Sequence, residues 1–165
     1  MTYYDSISEG YEELHREEQL KKIAVIKTLF NPKPNDKLLD VGCGTGITTQ
    51  SWDCIRYGID PAKKLIARAH DKDKIHYKVG QAENIPYPDK YFDWVISITA
   101  IQNFEDIEKG LSEIKRVGKG NYIISFLKRS SKASVIKGLI LKLFNVMQEI
   151  EEEKDIILQI VNNPR

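Results

Sequence analysis

The chain has 165 residues, enough for one domain that buries a sizeable core. Charged residues make up 30% and hydrophobic residues 41%, a globular balance that excludes a disordered or fibrous chain. The formal net charge of +1 excludes a global field for gathering nucleic acid or an acidic membrane, so the composition gives no strong signal for either, while a local basic patch stays compatible with it.

In chain order, Met1 to Asp5 has neither a basic n-region nor an apolar h-region, so no signal peptide is expected. Residues Ser8 to Phe30 read as a helix, with Leu20, Ile23, Ile26 and Leu29 at helical spacing, stopped by Asn31-Pro32-Lys33-Pro34. Lys37 to Val41 is a short apolar run that enters glycines, the pattern of a buried strand. Ile47 to Trp52 allows at most a short helix. Cys54 to Ile59 reads as a second strand, and Pro61 to Ala69 as a helix with proline in its first turn. Ile75 to Val79 and Phe92 to Ile98 read as strands joined through the proline-rich loop Asn84 to Asp89.

Glu105 to Val117 carries Ile107, Leu111, Ile114 and Val117 on one helical face and is closed by Gly118. Asn121 to Leu127 is a fifth strand. Ser131 to Phe144 is a helix with Val135, Ile136, Leu139, Ile140 and Leu143 on one side. The tail reads as a hairpin of Val146 to Ile150 and Asp155 to Val161, joined by a charged turn; the competing reading is one continuous helix. Strands alternating with helices imply a mostly parallel, doubly wound α/β sheet with helices on both faces. Ligands of such sheets bind beyond the carboxyl ends of the strands.

The strongest chemical signal sits at such an end, Leu38-Leu39-Asp40-Val41-Gly42-Cys43-Gly44-Thr45-Gly46. Three alternating glycines let a ligand approach the backbone, and the next helical turn offers N–H groups to an anion such as an amino-acid carboxylate. A dinucleotide loop wants its third glycine one residue later, where Ile47 stands. Asp40 would also repel a pyrophosphate. Both features favour a cationic, zwitterionic nucleoside over a nicotinamide cofactor. Asp60, after the second strand, suits the two hydroxyls of a ribose; its plainer role would be a helix cap. Gln81-Ala82, after the third strand, suits the edge of a base.

LLDVGCGTG, YGIDPAKKLIARA and GQAENIPYPDKYFDWVIS, taken in order, resemble the class I S-adenosylmethionine (SAM) dependent methyltransferases, specifically the ubiquinone/menaquinone-type group. The likeness covers most of residues 36 to 127. It implies a Rossmann-like sheet ending in an antiparallel hairpin, with residues 1–165 as a single SAM-binding domain. It also implies SAM as cofactor and S-adenosylhomocysteine as product. By resemblance, Asp40, Gly42, Gly44 and Gly46 hold the methionine end, Asp60 the ribose, Pro61 the adenine face, and Gln81 and Ala82 the adenine edge. Ser97 and Ile98 line the methyl-donor side. Residues 1–30, with Tyr3-Tyr4-Asp5 and Tyr11, match the family's N-terminal segment that covers the cofactor. Tyr11 and Gln102 are the substrate-side candidates.

The chain departs from the family pattern at Gln81, where many relatives carry Asp, and at Gln102, where many carry His, which removes the obvious base. Asn-Pro-Pro-Tyr, the motif of several amino-group methylases, is absent. The methyl acceptor (small molecule, protein or RNA) is not encoded in any motif, and no general base is assigned. A non-catalytic SAM-binding subunit is the alternative. So minimal a domain is compatible with an activating protein partner or a homodimer. His15, His70 and His76 are scattered, so no metal site is expected. The two cysteines, Cys43 and Cys54, make no disulfide framework and point to the cytoplasm.

Overall fold

Among the described residues, seven strands and four helices follow the alternation of apolar runs along the chain. A computed structural model describes residues 9–161, with side chains described over 13–161. Helix α1 spans Glu9–Ile26, β1 Lys37–Val41, β2 Ile55–Asp60, α2 Lys63–Ala67, β3 His76–Val79 and β4 Trp94–Ile98. Then come α3 Ile107–Val117, β5 Asn121–Leu127, α4 Ala133–Leu143, β6 Val146–Glu151 and β7 Asp155–Val161. Single 3₁₀ turns lie at Thr49–Ser51, Ala82–Asn84 and Ile101–Asn103.

The strands form one sheet in the order β3-β2-β1-β4-β5-β7-β6. Strands β1 to β5 pair in parallel, and β7 runs antiparallel to both β5 and β6. The expected hairpin is therefore present, and the continuous-helix reading of the tail is excluded. Ile156, Ile157, Ile160 and Val161 are β-branched, which suits a pleated ladder better than a helix. The order of strands reverses between β1 and β4, which places the topological switch point at their carboxyl ends.

Successive side chains of a strand point to opposite faces, and the central strands use this to build two apolar layers. Leu38, Ile96, Ile123 and Ile157 pack with Ile23, Ile26 and Phe30 on the α1 face. Their neighbours Leu39, Val95, Ile124 and Leu158 pack with Leu111, Ile114, Ile136 and Ile140 on the face of α3 and α4. Each such fully buried side chain contributes roughly 1.5–3 kcal/mol relative to exposure.

Four local expectations are corrected. Leu20 is 39% exposed, and α1 instead buries Gln19, Lys22, Ile23 and Ile26, because Lys22 reaches a buried carboxylate beneath the helix. Val135 lies on the outside of α4, which buries Ile136 and Ile140. Helix α2 starts at Lys63, so Pro61 precedes it rather than sitting in its first turn, and α3 starts at Ile107, after a cap in which Asp106 Oδ1 accepts from Lys109 N–H at 3.1 Å. Gly118 does close α3, as its C-cap, in an extended conformation with φ of −92°, and a glycine is required there because the Tyr122 ring occupies the space of a Cβ.

Candidate functional site

Strand β1 delivers its glycine loop to the switch point. Gly42, Gly44 and Gly46 have φ of +77°, +56° and +83°, a region that side chains resist. Their surroundings separate them. A Cβ on Gly42 would lie 2.5 Å from the Ala100 Cβ, and one on Gly46 would overlap the Tyr77 hydroxyl. Gly44 alone faces open space, with nothing within 4 Å of where its Cβ would be. Two glycines of the motif are thus needed for protein packing, and one presents bare backbone outward. The turn after the loop is a single 3₁₀ turn at Thr49–Ser51, so it supplies little of the helix dipole expected there.

Asp60, at the end of β2, is 8% exposed and ties the loop to the next element. Its Oδ2 accepts from Gly44 N–H at 2.9 Å, and its Oδ1 accepts from Ala62 N–H at 2.8 Å. It does not cap α2, whose N-cap is Ala62. Each carboxylate oxygen keeps a second lone-pair direction for a ligand donor.

Asp40 is almost fully buried on β1. The hydroxyls of Thr48 and Thr49 donate to its Oδ2 at 2.5 and 2.8 Å, while its Oδ1 has no hydrogen-bond partner among the described residues. Burial pushes its pKa up to about 7, against the pull of the two hydroxyls and with a small push from the charge of Asp60.

Pro61, Gln81 and Ala82 come together with Gly42, and with Gly80, Glu83, Asn103, Phe104 and Glu105, around a cleft of about 110 Å³. The cleft therefore joins the carboxyl ends of β1, β2 and β3 to the turn after β4. Ala82 is buried at the start of its 3₁₀ turn, and Gln81 is exposed. The wall made by Asn103, Phe104 and Glu105 is not part of the sequence reading. Its one signal is Gly110 inside α3, where the Phe104 ring occupies the space of a Cβ at 2.5 Å.

The remaining candidates lie elsewhere. Ser97 is fully buried and donates to Val41 O at 2.9 Å, a strut between β4 and β1. Ile98 is buried in the layer under α1. Gln102 donates through Nε2 to Thr99 O at 2.9 Å, and its buried Oε1 lacks a partner among the described residues. Tyr11 lies on α1 with its side chain outside the described set, and Tyr3, Tyr4 and Asp5 lie outside the described residues. Burial pushes the Cys43 thiol well above its ordinary pKa, and that of Cys54 up to about 11, so both are held protonated. Among the described residues, no three His, Cys, Asp or Glu side chains are grouped to hold a metal ion. No helix among them is long and apolar enough to cross a membrane.

The comparison with protein families matches residues 39–126, more than half of the chain, to a family described as a methyltransferase domain. An uncharacterized protein of Methanocaldococcus jannaschii is 29% identical over 133 residues, covering 79% of this chain and 64% of its own length. A demethylmenaquinone methyltransferase of Symbiobacterium thermophilum is 30% identical over 135 residues, covering 70% of this chain and 53% of its own length. The chain thus spans about half to two thirds of these relatives. Among solved structures, magnesium protoporphyrin IX methyltransferase of Synechocystis with bound SAM superposes with a TM-score of 0.71 at 18% identity, over 90% of this chain and 80% of that one. At that identity the likeness is one of fold.

Proposed function

Because the chain belongs to the methyltransferase domain family, we propose that it binds SAM in the cleft at the switch point and transfers its methyl group to an acceptor. The observation that carries this reading is the convergence of Gly42, Pro61, Gln81 and Ala82 on one cleft beside the outward-facing Gly44. The residues present fit a cationic nucleoside. Gly44 leaves space for a ligand against the backbone, and the unpartnered Oδ1 of Asp40 supplies buried negative charge beneath the loop. Asp60 keeps lone pairs for the ribose hydroxyls, Pro61 supplies a flat apolar surface for the base, and Gln81 and Ala82 address its edge.

SAM supplies an already electrophilic methyl on a sulfonium. The chain's task is then to bind, orient and exclude water, because in-line approach and desolvation account for most of such a reaction. Asp60 fixes the loop through Gly44 N–H and would fix the sugar with the same carboxylate. Gln102 is assigned to the acceptor side, next to the cleft wall of Asn103 and Phe104, although its Oε1 is itself buried. Its Nε2 is committed to Thr99 O, and an amide does not take up a proton, so Gln102 orients and is not a base. Tyr11 is assigned to cover the cofactor from the N-terminal side, Ser97 and Ile98 to support the methyl-donor side. The acceptor is a small molecule, a protein or an RNA, in a cytoplasmic setting that the two free thiols support. The whole of residues 1–165 acts as one methyltransferase domain, alone, as a homodimer or with an activating protein.

The absence of a proton acceptor at Gln102 favours one second reading, a SAM-binding subunit without catalysis. Transfer of labelled methyl from SAM to a cell extract distinguishes the two, and the labelled fraction identifies the acceptor class. SAM and S-adenosylhomocysteine should raise the melting temperature, adding about 2.7 kcal/mol at 100 times the dissociation constant, whereas NADH should not. Stabilisation by NADH alone would defeat the assignment.

A further inference from the structure

Thr99 follows β4 and has φ of +54°, a left-handed conformation that is strained for a β-branched residue. Every polar group of Thr99 is held. Its N–H donates to Ser125 O at 3.1 Å and Ser125 Oγ at 3.0 Å, and its carbonyl accepts from Gln102 Nε2 at 2.9 Å. Its hydroxyl donates to Asp155 Oδ2 at 2.6 Å and accepts from Lys22 Nζ at 2.8 Å. Lys22 also pairs with Asp155 Oδ1 at 3.2 Å, and the two side chains are 4% and 0% exposed.

This cluster is not the arrangement that stability alone would select. Buried ion pairs are often matched or bettered by apolar residues of similar size. Helix α1 nevertheless turns Lys22 inward and leaves Leu20 outside. The gain is in geometry. The left-handed turn at Thr99 leads into the 3₁₀ turn Ile101–Asn103. It presses Ala100 against Gly42 so closely that no Cβ fits there, and it brings Asn103 and Phe104 into the cleft wall.

We propose that Lys22, Asp155 and Thr99 form a buried positioning network that locks the strained turn after β4 and so sets residues 100–104 against the glycine loop for cofactor binding. The proposal rests on the reading of the cleft as a SAM site. Thr99 is the positioning residue, and Lys22 and Asp155 act through its hydroxyl. The three come from α1, the end of β4 and the start of β7, so the network also couples the N-terminal helix and the C-terminal hairpin to the site.

The test measures SAM dissociation constant by calorimetry and melting temperature for the full chain. Thr99→Ser keeps the hydroxyl and should bind within about threefold of wild type, whereas Thr99→Val keeps the shape and should lose at least about tenfold, the size of one charge-assisted hydrogen bond. Lys22→Met with Asp155→Leu removes both charges, and should melt near wild type yet bind SAM as poorly as Thr99→Val. Wild-type SAM affinity in a folded Thr99→Val, or affinity restored along with stability in the double variant, would overturn the proposal. If the double variant does not fold, the Ser and Val pair decides. If the wild-type chain itself gives no SAM heat, the cofactor reading fails separately. Amide exchange of residues 100–104 without ligand then decides the network: faster exchange in Thr99→Val than in Thr99→Ser supports it, and equal exchange overturns it.

Discussion

Of the three carboxylates buried at the carboxyl edge of the sheet, Asp40, Asp60 and Asp155, two make an instructive contrast: Asp40 beneath the glycine loop and Asp155 beneath the turn after β4. Asp155 accepts a hydroxyl on Oδ2. Its Oδ1 lacks a hydrogen-bond partner among the described residues, just as that of Asp40 does, but lies 3.2 Å from the Lys22 ammonium, so what sets it apart is a cation from the protein. Asp40 has two threonine hydroxyls on one oxygen and, among the described residues, neither a hydrogen-bond partner nor an ion-paired cation on the other. A closed pair gives rigidity at the cost of desolvation. An open carboxylate gives little rigidity and leaves negative charge for a cation that comes from outside.

The largest expected effect breaks the closed pair. Lys22→Met leaves Asp155 buried without its cation and should cost about 3–5 kcal/mol, a fall of roughly 6–20 °C in melting temperature for a domain of this size. Asp40→Asn should cost under about 1 kcal/mol at pH 8, because it removes a buried charge that no cation among the described residues offsets, while an amide oxygen can still accept from Thr48 and Thr49. Equal losses for the two variants would erase the contrast.

Next is pH. The pKa of Asp40 is raised to about 7 in the folded chain, against about 3.9 unfolded. Between those values the folded state holds a proton that the unfolded state has released. The contribution of Asp40 to stability is therefore fully present below about pH 4 and lost as pH rises through about 7, by a few kcal/mol. Urea titrations from pH 5 to 8 should show this slope in the wild type and a shallower one in Asp40→Asn. Binding of cationic SAM should oppose it, releasing a proton detectable as buffer-dependent heat.

Asp60 tests the rim of the open side. Asp60→Ala should weaken SAM binding by roughly 1.5–3 kcal/mol, at least about tenfold, and Asp60→Asn by less, since an amide oxygen still accepts one bond. The alanine variant should also lose about 1 kcal/mol or more of stability, because Gly44 N–H and Ala62 N–H lose their acceptor. Lost stability with unchanged affinity would reduce Asp60 to a loop clamp.

The smallest effect on folding is at Gly44. Gly44→Val should cost about 1–2 kcal/mol, the cost of a side chain at positive φ, while abolishing the heat of SAM binding. Gly46→Val should be far more damaging to the fold, because its side chain would meet Tyr77. Retained SAM affinity in Gly44→Val would mean that the ligand does not lie against this residue.

Much of this was legible in the chain. Apolar runs, the glycine loop, Asp60 after β2 and Gln81-Ala82 after β3 are local patterns, and hydrogen-bonded strands impose the same local pattern wherever they occur. The face of α1 was not legible, because Leu20 and Lys22 have equal claims by periodicity, and the choice depends on a carboxylate 133 residues further on in sequence. Nor was the Phe104 wall, which no motif marks, or the division of labour among the three glycines, which depends on Ala100 arriving from the turn after β4 and Tyr77 from β3.

By itself the sequence determined that a parallel α/β sheet forms and where its glycine loop lies; between a hairpin and a helix in the tail the strand pairing decided. Only the tertiary structure decided that Lys22, Thr99 and Asp155 meet. The physical reason is the reversed direction of β7: running antiparallel to β5, with Asp155 opposite Leu127, it places its first residue at the edge where the parallel strands end. A buried charge can be satisfied there only by what the sheet order brings beside it, and that order is a property of the whole fold, not of any segment.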